Sequence, residues 1–267
     1  MHGAAYTPAR RLPVAVMLAV PCAFYVGIFL VWSWLFRWSK VTEVSRATFG
    51  IIHPTLLAAA VLAALVFATA LPSGLTARDF GLDRRDVRIG VCVWLAGYAG
   101  LQLVLLLAAL FTGCVVHPGG WFAMPLGYAL GAVIAQVFGT AVVEEAVFRG
   151  FLFRQVLVRL RVHSTKATII AAAIAAVPFA LCHIPQRLST GTAGADLAAN
   201  LVELWVLGMV ATYLYVRSRN LMAVMALHAL FNAPAPLFAS PLSVRAAYCV
   251  VLGVVIATLE IRATALR

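Results

Sequence analysis

The sequence predicts an all-α, polytopic membrane protein, a bundle of about eight transmembrane helices. Three observations carry this. Hydrophobic residues fill 64% of the 267 positions, and charged residues only 11%. Mean hydropathy is +1.00. A soluble fold needs less apolar sequence inside and more charge outside. Finally, the apolar residues fall into long runs, each near the ~20 residues that a bilayer crossing requires. No Pro/Ser linker, low-complexity run or internal repeat divides the chain. Residues 1–267 therefore read as a single membrane domain, with the chemistry-bearing motifs gathered in 140–235.

The expected spans are 12–36, 48–71, 89–112, 122–153, 167–184, 199–216, 221–239 and 243–260. The first contains Pro21, is too long for a signal-peptide core and reads as a retained span. The fourth runs on as a basic amphipathic tail, "FRQVLVRLRVHSTK". The segment "ARDFGLDRRDVR" (77–88) has mixed signs and fits a solvated or interfacial loop.

Lysine and arginine orient the chain. The N-terminus, the even-numbered loops and the C-terminus hold Arg10, Arg11, Arg78, Arg84, Arg85, Arg88, Arg154, Arg159, Arg161, Lys166, Arg217, Arg219, Arg262 and Arg267. The odd-numbered loops hold only Arg37, Lys40, Arg46, Arg187 and Arg245. The positive-inside rule then puts both termini in the cytoplasm, in a cell inner or plasma membrane. The net charge of +11 is read the same way, as charge flanking spans and meeting lipid headgroups, not as a nucleic-acid surface. The cysteines Cys22, Cys92, Cys114, Cys182 and Cys249 are odd in number and scattered. They fit neither a disulfide framework nor a metal site and read as small apolar fillers.

A charge at membrane depth costs about 2.5–3.5 kcal/mol on insertion scales, so it must be paired, line a wet cavity or do chemistry. The stretch "VVEEAVFRGFLFRQ" (142–155) holds three such groups. Glu145 and Arg149 are spaced i, i+4, acid first, the favourable order for an ion pair on one helix face. Glu144 points about 100° away and has no such local partner. It suits a general base, although the whole set also fits an ion-pair network that only locks helices. His228 and Asn232, in "LMAVMALHALFNAP", also share a face. Both can donate to a developing oxyanion, or they can bond between helices. His183, in "VPFALCHIP", sits at a span end between Pro178 and Pro185. Cys182 beside it is discounted as a nucleophile, because adjacent helical positions diverge and no feature lowers its pKa. Glu203 reads as structural. Counted from the basic edge, Glu144 and His228 each lie 10 residues in, or ~15 Å. His183 lies 17 residues from Lys166, ~25 Å, and agrees less well.

The motifs "EEAVFR", "FALCH" and "HALFN" fit E-E-x-x-x-R, F-x-x-x-H and H-x-x-x-N. In this order and spacing they resemble the CPBP family, which includes type II CAAX prenyl endopeptidases together with bacteriocin-processing and abortive-infection proteins. "DFGLDRR" also looks like a segment common in that family. The resemblance spans about 140–235 and implies a glutamate-type intramembrane endopeptidase. Glu144 would be the catalytic base, His183 would help it activate water, and His228 with Asn232 would form the oxyanion hole. Glu145, Arg149 and Phe179 would support the site. No cofactor or metal is implied. The expected partners are a membrane-anchored protein or peptide substrate and the bilayer, entered from the lipid or through a cavity open to the cytoplasm. Two alternatives use the same residues: a zinc protease built on Glu144, His183 and His228, and a non-enzymatic proton-coupled transporter or immunity protein.

Overall fold

The computed structural model describes residues 11–113, 118–119, 122, 124–160 and 164–265. Arg10, Cys114, Arg161 and Arg267, used above in counting charge and cysteine, lie outside them.

The described residues are mostly helical and form one isolated bridge, between Pro118 and Phe238. The helices are α1 (Val14–Ser33), α2 (Ser39–Ala47), α3 (Pro54–Ala70), α4 (Val87–Phe111), α5 (Leu126–Arg159), α6 (Thr165–Leu181), α7 (Ile184–Ser189), α8 (Gly194–Ser218), α9 (Leu221–Asn232) and α10 (Val244–Ala265). Local chemistry sets several of their starts. His53 Nδ1 accepts from Thr55 N at 3.2 Å ahead of Pro54, the first residue of α3. Ser164 Oγ accepts from Ala167 N at 3.1 Å, and Asn220 Oδ1 from Ala223 N at 2.9 Å. Each supplies an acceptor to an otherwise orphaned N-terminal N–H.

Among the described residues seven stretches are long and apolar enough to cross a membrane: Val14–Arg37, Pro54–Ser73, Val87–Phe111, Leu126–Arg159, Thr165–Ser189, Gly194–Ser218 and Val244–Ala265. The protein is therefore the integral membrane helix bundle that its composition predicts. The expected span 221–239 is the exception. Helix α9 ends at Asn232, after 12 residues, or ~18 Å against a ~30 Å hydrocarbon core. Pro234 and Pro236 follow at once and forbid further helix. The chain from there is held by side chains of α4. Gln102 Oε1 accepts from Leu237 N at 2.8 Å, and Tyr98 Oη donates to the Ala235 carbonyl at 3.2 Å.

The bundle has two distinct ends. At one, Gln155 Oε1 accepts from Leu12 N at 3.2 Å and Arg159 donates to the Leu12 carbonyl. Arg154 Nη1 donates to the Arg78 carbonyl at 2.9 Å, and Arg217 pairs with Glu260 at 2.6 Å. The segment 77–88 belongs to this end and is not simply solvated: Phe80 is buried and stacks on Phe151, with ring centroids 5.2 Å apart. The Phe80 carbonyl presses on Gly150, where any side chain would collide with it. At the other end Phe49 and Gly50 pack on Gly127, Tyr128 and Gly131, and Gly119 N donates to the Leu237 carbonyl at 2.8 Å. Arg245 and Glu203 pair there at 3.5 Å, which gives Glu203 a structural partner. The main core lies between the two ends, around Phe24, Phe148, Phe151, Phe153 and Leu221.

Candidate active site

Helix α5 carries the acidic pair, and its backbone departs from α geometry on both sides of it. Gln136–Thr140 and Ala146–Phe153 are π-helical, with the α-helical turn Ala141–Glu145 between them. Widened turns of this kind are rare and recur at functional sites, because they shift which residues share a face.

Glu145 is fully buried and Arg149 is 2% exposed. Arg149 Nη1 donates to Glu145 Oε1 at 3.0 Å, the i, i+4 pair that the spacing predicts. The guanidinium also lies over the Phe179 ring, 4.0 Å from its centroid. Two contacts therefore fix Arg149, one ionic and one cation–π. Phe179 is the hinge of the aromatic packing. It meets Phe148, His183 and His228 edge to face, at centroid distances of 5.5, 5.1 and 6.2 Å.

His228, on α9, lies between the two glutamates. Its Nδ1 is 2.6 Å from Glu145 Oε1 and its Nε2 is 3.6 Å from Glu144 Oε2. A carboxylate held by arginine only accepts, so Nδ1 carries the proton of the short bond. Its Nε2 then faces Glu144. Glu144 is 5% exposed, and its Oε2 is buried without a hydrogen-bond partner among the described residues. Sequence spacing freed Glu144 from Arg149 but gave no hint that one imidazole would bridge both carboxylates.

His183 sits in the turn between α6 and α7. Its Nδ1 is 2.9 Å from the Phe179 carbonyl. A carbonyl cannot donate, so this contact puts the proton on Nδ1 and leaves Nε2 with its lone pair. Cys182 corrects one expectation. Its Sγ is 3.4 Å from His183 Nδ1 and 3.0 Å from the Phe179 carbonyl. The two side chains meet because α6 has ended at Leu181, so the helical divergence assumed for neighbouring positions does not apply.

These groups converge on one cavity of about 380 Å³. Glu144, Glu145, Arg149, Phe179, His183, His228 and Asn232 all line it, so every residue singled out by the motifs is brought together. The sequence reading missed Gln136, Thr140, Gln186 and Arg187, which line it too. Asn232 Nδ2 donates to Gln136 Oε1 at 3.0 Å. The signal for Gln136 was present: it is a polar residue in an apolar span, eight positions before Glu144. Most of the remaining wall is apolar and includes Ile28, Trp32, Phe36, Leu204 and Leu207. Among the described residues no group of three or more His, Cys, Asp or Glu is arranged to hold a metal ion.

Residues 125–234 match the family model described as type II CAAX prenyl endopeptidase Rce1-like. The family resemblance read from the three motifs is borne out, and all three fall inside the matched segment. The match supports a CAAX-type intramembrane protease in general terms. No curated protein matches the chain.

Proposed function

We propose that the chain is an intramembrane endopeptidase that hydrolyses a peptide bond in a membrane-associated protein or peptide by glutamate-activated water. One observation carries the reading. Glu144 presents to the cavity a buried carboxylate oxygen with no hydrogen-bond partner among the described residues, 3.6 Å from His228 Nε2, while the neighbouring Glu145 is held through Oε1 by both Arg149 and His228. A network that only locked helices would be expected to satisfy both acids.

In this reaction a water sits between Glu144 and Nε2 of His183. Glu144 takes one proton while the His183 lone pair orients the water. The resulting hydroxide adds to the scissile carbonyl. The oxyanion meets an N–H of Asn232 and Nε2–H of His228. Because Nδ1–H is already given to Glu145, that second role requires His228 to carry both ring protons. Collapse of the tetrahedral intermediate breaks the C–N bond, and Glu144 returns its proton to the leaving amine. Glu145 and Arg149 hold His228, Phe179 packs beneath both imidazoles, and Gln136 sets the rotamer of Asn232. The apolar wall seats the substrate's membrane-embedded part, and neither metal nor cofactor takes part.

The test compares membranes from cells producing wild type or Glu144→Gln at equal levels. New N- and C-termini are mapped by mass spectrometry. Paired termini found only with wild type are expected, and they would name the substrate. Identical terminus profiles would count against proteolysis.

A further inference from the structure

We infer that α4 and α10 form a binding site for one anionic phospholipid, with its phosphate on Arg88 and Arg262 and an acyl chain in the apolar groove beside them. The site is separate from the cavity at Glu144, and the inference does not depend on the peptidase reading.

The groove follows from how α10 is shared between its neighbours. In its first half α10 packs on α4. Ala247, Tyr248 and Val251 form one core cluster with Leu101 and Leu105, and a Cβ on Gly100 would lie 3.6 Å from Val251 Cγ2, an ordinary packing distance. In its second half α10 turns to the main core through Val255, Ile256 and Leu259, and Glu260 pairs with Arg217 of α8 at 2.6 Å. Helix α4 stays on α9 instead. A Cβ on Gly90 would come within 2.8 Å of Met222 Cβ, so that contact is backbone-close. The two helices therefore part toward the Arg217–Glu260 end of the bundle and leave a groove on the lipid-facing surface. Cys92, Val93 and Ala96 line it from α4 and Thr258 from α10. These side chains are short. Thr258 Oγ1 donates to the Val254 carbonyl at 2.8 Å, so its hydroxyl needs no partner in the groove. From Arg88 to Ala96 the groove runs ~12 Å along α4, close to the thickness of one leaflet of a ~30 Å hydrocarbon core. An acyl chain fills such a space and restores the packing contacts that the parted helices forgo.

The charge selects the headgroup. Arg88 and Arg262 both line the groove, at its polar end, and both are exposed. Among the described residues neither forms an ion pair. Two guanidinium groups on one site, with no carboxylate between them, match the two non-bridging oxygens of a phosphodiester. A free phosphate would meet the arginines but leave the groove empty. A zwitterionic lipid would fill the groove but bring a cation of its own toward the arginines. An anionic phospholipid satisfies both, as basic pockets between transmembrane helices do for anionic headgroups elsewhere.

The experiment is native mass spectrometry of the purified full-length chain in detergent, titrated with phosphatidylglycerol, phosphatidylcholine or inorganic phosphate. Each arginine contributes about fivefold to the preference for the anionic lipid, so wild type is expected to bind phosphatidylglycerol about 30-fold more tightly than phosphatidylcholine. Arg88→Gln/Arg262→Gln should bring the two lipids level. Arg78→Gln/Arg84→Gln removes the same charge from exposed positions outside the groove and should leave the preference intact. Ala96→Trp fills the groove from an exposed position, keeps both arginines and should weaken phosphatidylglycerol binding at least tenfold. Equal binding of both lipids by wild type overturns the inference. So does an equal loss in the two double variants, which would mean a diffuse charge effect. Phosphate binding that matches phosphatidylglycerol and survives Ala96→Trp overturns it as well, because the ligand would then be the free anion. All four substituted arginines are exposed, and thermal unfolding without added lipid checks that the double variants remain folded.

Discussion

Arg149 gives the most quantitative test of the packing argument. Arg149→Met keeps most of the side-chain volume but removes the cation. Glu145 then stays fully buried, with His228 as its remaining partner among the described residues. Breaking a buried pair by removing one member costs about 3–5 kcal/mol, because the remaining charge is stranded. The contact with the Phe179 ring at 4.0 Å is lost as well, worth about 2 kcal/mol for a desolvated cation. The same guanidinium makes both contacts, so the losses overlap. We expect a total of about 4 kcal/mol, roughly three decades in the unfolding equilibrium. The assay is equilibrium unfolding in mixed micelles with increasing denaturing detergent. Arg149→Met/Glu145→Gln should recover most of the loss, since removing both charges leaves nothing stranded. A single variant costing under about 1 kcal/mol would refute the reasoning, as would a double variant as unstable as the two singles added together.

Other positions separate chemistry from stability. Asn232→Ala should lower kcat by about 10²–10³-fold, the usual cost of one oxyanion donor, with little change in unfolding. Gln136→Ala should lower kcat by a smaller factor, about tenfold, because it frees the Asn232 amide without removing it; an unchanged rate would mean that their 3.0 Å bond does not matter. Gly150→Ala should destabilise by about 1–3 kcal/mol, since its Cβ would overlap the Phe80 carbonyl in a packed contact. That loss should show as easier proteolysis within 77–88. Proteolysis should persist after exhaustive chelation, whereas loss of activity restored by zinc would select the metal-dependent alternative.

The sequence made some layers of this molecule plain and hid others for identifiable reasons. Hydropathy located the long helices because each must bury a full bilayer's thickness of apolar chain. The spacing of Glu145 and Arg149 announced their pair because a helix face is a local property. The end of α9 was also legible, from Pro234 and Pro236, but the apolar run after Asn232 outweighed that signal. Gln136 was overlooked because a neutral polar residue is cheaper at depth than a charge, although it supplies the partner of Asn232. The bridge from His228 to both glutamates had no local signature, since α5 and α9 are joined only by tertiary packing. The π-helical turns flanking Glu144 likewise leave no periodic mark in the sequence. Phe80 read as part of a charged loop, yet its docking on Phe151 depends on Gly150, 70 positions away.

The central claim is that Glu144 is the base in a metal-free peptide hydrolysis, and it is tested most directly on purified protein with a mapped substrate. Single-turnover rates of wild type and Glu144→Gln would be compared in lipid vesicles, with equal unfolding stability as the control for folding. The account predicts a rate lower by about 10²–10⁴-fold, the contribution of a positioned proton acceptor, with substrate binding retained. A Glu144→Gln protein that cleaves within a few-fold of wild type would contradict it and move the chemistry to another group in the cavity.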